Sequence, residues 1–155
     1  MDSRFKANML AASKAGIPVG VYFASQAVNE IEAIEEASMV IETCKIYLLD
    51  CPVFVYSAPT QSGRADKLRK EERTEILSAF CETIVNSGYD AGVYAAAGWL
   101  EDEIDASKLN AYHMWVSQYC ENADYEGYYD YWQYTSKGTV DGIDTKVDLS
   151  VNYSN

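Results

Sequence analysis

The chain has 155 residues, 48% of them hydrophobic, and a formal net charge of -12 with a pI near 4.4. That is long enough for one domain, 1–155, with a real core, and too apolar for a disordered segment. The charge repels phosphate backbones and no basic stripe relieves it, no apolar run nears the roughly 20 residues of a bilayer span, and the start Met1 Asp2 Ser3 Arg4 Phe5 Lys6 has no signal-peptide core. Nucleic acid and membrane are therefore excluded as expected partners.

Asp2 to Ala15 is predicted as a helix carrying Phe5, Met9 and Ala12 on one side, stopped by Gly16 and Pro18. Val19 to Ser25 is mostly apolar without alternation, which predicts a strand covered on both faces in a parallel sheet. Asn29 to about Leu49 changes to helical period, with Val28, Ile31, Ile34, Ile41, Cys44 and Leu48 as its apolar set. Asn29 and Glu32 have the spacing of a capping box, and Glu30, Glu32, Glu35 and Glu36 read as a solvated face.

Pro52 to Tyr56 is a second buried-strand pattern, followed by a long loop from Ser57 to Leu68. Lys70 to Ser87 is predicted as a helix with Ile76, Phe80 and Ile84 at steps of four, ended by Gly88. Ala91 to Ala95 is a strand, Glu101 to Leu109 a short polar helix, and Tyr112 to Tyr119 another strand. Tyr131 Trp132 Gln133 Tyr134 Thr135 Ser136 alternates at period two, so Trp132 and Tyr134 share one face while Tyr131, Gln133 and Thr135 share the other. Gly138 and Gly142 bracket a turn before a last strand that carries Asp148. Helix and strand alternate through most of the chain, which predicts an α/β fold with a largely parallel sheet.

Cys44, Cys51, Cys81 and Cys120 show no metal-ligand rhythm and read as buried free thiols, with a disulfide as the alternative. His113, between Tyr112 and Met114, reads as a packed or hydrogen-bonded histidine. An aspartate on a strand beside flat rings, amides and hydroxyls is chemistry suited to a sugar, whose apolar face the rings cover.

In order along the chain, Asp2, Phe5 and Asn8 with Ala15 Gly16 Ile17, Val19 Gly20 Val21 Tyr22, Pro52 Val53 Phe54 Val55, Ser87 Gly88 Tyr89, and Gly92 Val93 Tyr94 form an ordered set of matches. Trp115 to Tyr119, Trp132 to Ser136, Gly138, Gly142 Ile143 and Val147 Asp148 continue it. The set resembles glycoside hydrolase family 25, the lysozyme-type muramidases. This resemblance implies an irregular, TIM-like β/α barrel with a sugar groove at the C-terminal ends of its strands. The implied reaction is hydrolysis of the β-1,4 bond between N-acetylmuramic acid and N-acetylglucosamine in peptidoglycan, with no cofactor and no metal. The implied location is extracellular or at the cell wall.

Two departures qualify it. The family opens with an Asp-x-Ser strand and a second strand, so the barrel is expected to be incomplete here, lacking its first strands and their aspartate. The family also places an Asp-x-Glu pair at the end of the strand matching Pro52 to Val55. Here Val55 runs into Tyr56 Ser57 Ala58, so either Tyr56 and Ala58 replace the two carboxylates, or the residues bearing them are deleted before Tyr56. Asp148 alone matches a family active-site acid. Tyr22, Tyr56, Tyr94, Trp115, Gln118, Trp132 and Gln133 are the expected glycan-binding residues. The expected activity is very weak or nil, with noncatalytic glycan binding and a structural remnant as the alternatives. Open barrel edges are expected to favour homo-oligomers.

Overall fold

The computed structural model describes residues 1–154. One six-stranded sheet runs in the order β1 (Val21–Ala24), β2 (Val53–Tyr56), β3 (Ala91–Ala96), β4 (His113–Ser117), β5 (Tyr131–Gly138) and β6 (Val147–Asn152). The first five strands are parallel, and β6 returns antiparallel to β5. Four α-helices accompany them: α1 (Phe5–Ala15) before β1, α2 (Glu30–Cys44) between β1 and β2, α3 (Lys70–Asn86) between β2 and β3, and α4 (Ala97–Asp102) after β3. Every crossover advances one strand in the same direction, so right-handed connections put the helices on one side and the sheet curls as in a β/α barrel. The expected incomplete, TIM-like α/β architecture is the one observed.

The core lies between the convex face of the sheet and the helices. Val53, Val55, Val93, Ala95, Met114 and Val116 meet Ala33, Ala37 and Val40 of α2 and Ile76, Phe80 and Ile84 of α3. Phe80 is fully buried, a burial that contributes roughly 2–3 kcal/mol. Among the described residues no helix is long and apolar enough to cross a membrane.

Several expectations shift. α1 starts at Phe5, because the Asp2 carboxylate accepts the Arg4 N–H at 2.9 Å and holds a turn ahead of the helix. Its end is as predicted, with Gly16 at φ +66°, where a side chain would be strained. β1 is not covered on both faces: its burial alternates and Tyr22 is 60% exposed, since only β2 pairs with it among the described residues.

α2 ends at Cys44, and its buried side is Ala33, Ala37, Val40 and Cys44. Ile31 and Leu48 are instead 70% and 79% exposed. Small alanines let α2 sit close to the sheet and α3, so Ile31 and Ile34 face away while Ile41 and Cys44 of the expected set pack inward. Asn29 caps the Glu32 N–H at 2.9 Å as expected, but the Glu32 carboxylate takes the Val28 N–H rather than returning to Asn29. Nor is the glutamate face simply solvated: Glu36 accepts the Ser25 hydroxyl at 2.6 Å and the Gln26 N–H at 3.0 Å, fixing the chain that leaves β1.

The loop after β2 contains one 3-10 turn, Arg64–Lys67. The short polar helix is in fact two pieces, α4 and a 3-10 turn at Ala106–Leu109. The cysteines are free thiols, with Cys44 and Cys81 buried, Cys51 half-buried and Cys120 exposed, so the burial expected of all four holds for two. His113 packs edge-on to Tyr131 at 6.0 Å, and its Nδ1 lies 3.1 Å from Asp130 Oδ2 with the ring N–H not aimed at it.

Candidate functional site

Alternation along the strands sends one set of side chains into the helical core and the other onto the concave face. The concave set lines a groove of about 430 Å³ that includes Tyr22, Phe54, Tyr94, Trp115, Gln133 and Asp148. Strand register explains how the rings meet. Tyr56 pairs with Tyr94, and Tyr94 with Trp115, across neighbouring strands. Strands lie about 4.7–4.9 Å apart, close to ring-stacking distance. The centroids of Tyr56 and Tyr94 are accordingly 4.6 Å apart at 26°, and those of Tyr94 and Trp115 4.1 Å apart at 21°. Tyr22 meets Tyr56, Tyr94 and Trp115 edge-on at 6.1, 5.9 and 6.4 Å.

Both faces of Tyr94 are therefore taken by other rings. Its polar edge remains, and the same register sets its partners. Gln133 pairs with Ser117 on β4, and its Oε1 accepts the hydroxyls of Tyr94 at 3.1 Å, Ser117 at 3.1 Å and Tyr119 at 2.8 Å. Trp115 Nε1 donates to Ser150 on β6 at 3.2 Å. Burial, chiefly, pushes the Tyr94 phenol up to about 12. Burial also raises Tyr56, helped by Tyr119, Tyr22 and the charge of Asp148. At neutral pH these phenols stay protonated and act as donors.

Of the expected binding residues, the structure gathers Tyr22, Tyr56, Tyr94, Trp115 and Gln133 on the concave face, with Asp148 on β6 in the groove lining. Trp132 is not there. It pairs with Val116 on the convex side, packs against the core, and its Nε1 donates to the Gln118 carbonyl at 2.9 Å. Gln118 is likewise outside the groove lining, its amide engaged with Asp124. Phe54 and Tyr131 line the groove without having been singled out, although each shares a face with a chosen neighbour. Tyr119 was also missed, and only the fold reveals its bond to Gln133.

Asp148 is the one acid in the groove lining among the described residues. Asp50 accepts the Val19 N–H at 3.3 Å at the far end of the sheet. Asp66 accepts the N–H groups of Thr60, Ser62 and Gly63 at 3.1, 3.1 and 2.9 Å, which hold its carboxyl below the usual range and fasten the loop. Neither acid lines the groove. Among the described residues no three His, Cys, Asp or Glu side chains gather to hold a metal ion.

A curled, mostly parallel sheet with helices outside and a polar-aromatic groove inside defines the class: a β/α-barrel-type domain. Within that class the chain belongs to glycosyl hydrolases family 25, whose family model matches residues 1–143. It is 25% identical over 149 residues to an autolytic lysozyme of Clostridium acetobutylicum, covering 96% of this chain and 43% of that protein. It superposes with a TM-score of 0.85 and 26% identity on the modular autolysin LytC of Streptococcus pneumoniae, determined in complex with a synthetic peptidoglycan ligand, over 96% of this chain and 37% of that one. A family 25 glycosyl hydrolase from Bacillus anthracis gives 0.82 at 22% identity, over 100% of this chain and 73% of that one. The chain thus spans less than half the length of the first two.

Proposed function

We propose that the concave face binds the glycan strand of peptidoglycan, and that this lysozyme-like chain hydrolyses its β-1,4 bonds very slowly or not at all. The reading is carried by the chemistry after Val55, where the chain runs into the stacked phenol of Tyr56, Ser57 and Ala58 with no carboxylate, whether the family's acid pair is replaced there or deleted before Tyr56. Glycoside hydrolysis needs one carboxyl to protonate the leaving oxygen and a second group, about 5–9.5 Å away, to attack or to activate water. Asp148 supplies one acid. Tyr56 is a poor nucleophile with its phenol raised, and loss of a general acid costs about 10²- to 10⁴-fold in rate.

Two assays on purified protein test this. Clearing of a bacterial wall suspension is expected to run at least about 10²-fold slower than with a muramidase that has both acids. Sedimentation with insoluble peptidoglycan is expected to retain the protein, and Tyr22→Ala, at an exposed ring, to weaken retention. Clearing at the rate of that muramidase refutes the lost chemistry. Failure of peptidoglycan to retain the protein refutes the groove and leaves a structural remnant.

A further inference from the structure

We propose that Gln133 sets the groove's specificity by donating a hydrogen bond from Nε2 to the carbonyl oxygen of an N-acetyl group, so that N-acetylated glycan is preferred over its de-N-acetylated form. This rests on the groove binding glycan, and it adds which sugar substituent is read.

Gln133 is 2% exposed, so its amide should have partners for both ends. The oxygen is fully used, with three hydroxyls donating to it. Each of the three hydroxyls lies within donating distance of Oε1, and none of them bonds to Nε2. Nε2 has no acceptor among the described residues, yet it is not one of the sealed, orphaned atoms of the interior. Gln133 lines the groove, where a ligand can reach its amide.

A buried donor without an acceptor costs about 1–3 kcal/mol, and a ligand that supplies the acceptor recovers it. An amide carbonyl accepts without donating, which matches an unpartnered N–H donor. Its methyl group needs an apolar wall, and Tyr22, Trp115 and Phe54 are at hand. A free amine at the same carbon is a cation and offers Nε2 nothing to bind. Electrostatics would favour that amine, given Asp148 in the groove and a net charge of -12. A preference for the acetylated sugar therefore runs against the charge and reports on the amide.

The probes are the N-acetylglucosamine tetramer and its fully de-N-acetylated counterpart, titrated by calorimetry into the intact chain, alongside peptidoglycan sedimentation. The acetylated tetramer is expected to bind about tenfold tighter, the scale of one neutral hydrogen bond. Gln133→Glu keeps an oxygen for the three hydroxyls and turns the outward donor into an acceptor. It is expected to abolish the preference, with a lowered thermal midpoint because a carboxyl is buried there. Tyr119→Phe removes one of the three fixing bonds from an exposed ring and should lower the ratio. Retention on peptidoglycan with equal or tighter binding of the amine form overturns this inference and leaves the groove standing, as does an unchanged preference in folded Gln133→Glu. No binding of either tetramer and no retention on peptidoglycan overturns both.

Discussion

At the scale of single residues, Asp130 does more for this fold than its place in an irregular segment implies. It is 6% exposed and precedes β5, and its carboxylate accepts the Met114 N–H of β4 at 3.0 Å and the Tyr128 hydroxyl. Its own N–H donates to the Met114 carbonyl at 2.9 Å. No helix covers the connection from β4 to β5, and this side chain helps tie the two strands whose register builds the groove. Burial opposes its charge, but the Tyr128 hydroxyl, the Met114 N–H and His113 together hold the carboxyl below its usual range. A carboxyl lowered by folding stabilises the native state above its unfolded value and loses that contribution as pH falls through the folded one. Asp130→Ala is therefore expected to cost about 3 kcal/mol at pH 7, with a smaller deficit below about pH 4, where wild type also weakens. Urea unfolding at both pH values measures it. A loss under about 1 kcal/mol at pH 7, or an equal loss at both, would show that the carboxylate is idle.

At the scale of elements, the groove depends on a close approach between β2 and β3. Gly92 pairs with Phe54, and a Cβ there would stand 2.4 Å from the Phe54 ring and 2.7 Å from the His113 carbonyl oxygen. The missing side chain lets Phe54 lie across β3 and meet Trp115 and Tyr131, each at 5.2 Å. Gly92→Ala is expected to destabilise by about 2 kcal/mol and to change Trp115 fluorescence, since the backbone oxygen cannot yield as a ring can. Unchanged stability and emission would mean that Phe54 repacks freely. Such contacts explain what the sequence reveals and what it hides. Glycine stops at Gly16 and Gly88 and short apolar runs disclose the helices and parallel strands, because those signals are local. Parity was also informative: Trp132 and Gln133 are neighbours on one strand and cannot both face the groove, so alternation already set them apart. The choice between them, and the meeting of Tyr119, Ser117 and Tyr94 on one amide, depends on register between strands far apart in sequence. The buried face of α2 was read only in part, at Ile41 and Cys44, since alanine carries little hydrophobic signal where close packing matters most.

At the scale of the whole molecule, the curled sheet has a free edge with an apolar flank. The outer side of β1 has no partner strand among the described residues, and beside it lies a groove of about 700 Å³. Phe5 and Met9 of α1, Val21 and Phe23 of β1, and Met39 and Val40 of α2 line it, with Met39 53% exposed. Unpaired strand edges recruit other chains, and apolar surface of this kind drives contact. Against this stands a net charge of -12 on every copy. Exposed charges are screened over about 30 Å at 0.01 M salt and only about 3 Å at 1 M, whereas apolar burial does not weaken with added salt. The two effects therefore separate by ionic strength. Light scattering at high protein concentration is expected to show mainly monomer at low salt and a rising dimer fraction as salt is added. Met39→Lys places a charge on the flank and should suppress the dimer at every salt concentration. Monodisperse monomer throughout would mean that the edge is closed by its own twist and side chains. Dimer that falls apart as salt rises would assign the contact to ion pairs elsewhere on the surface, because repulsion between like-charged copies can only weaken under screening.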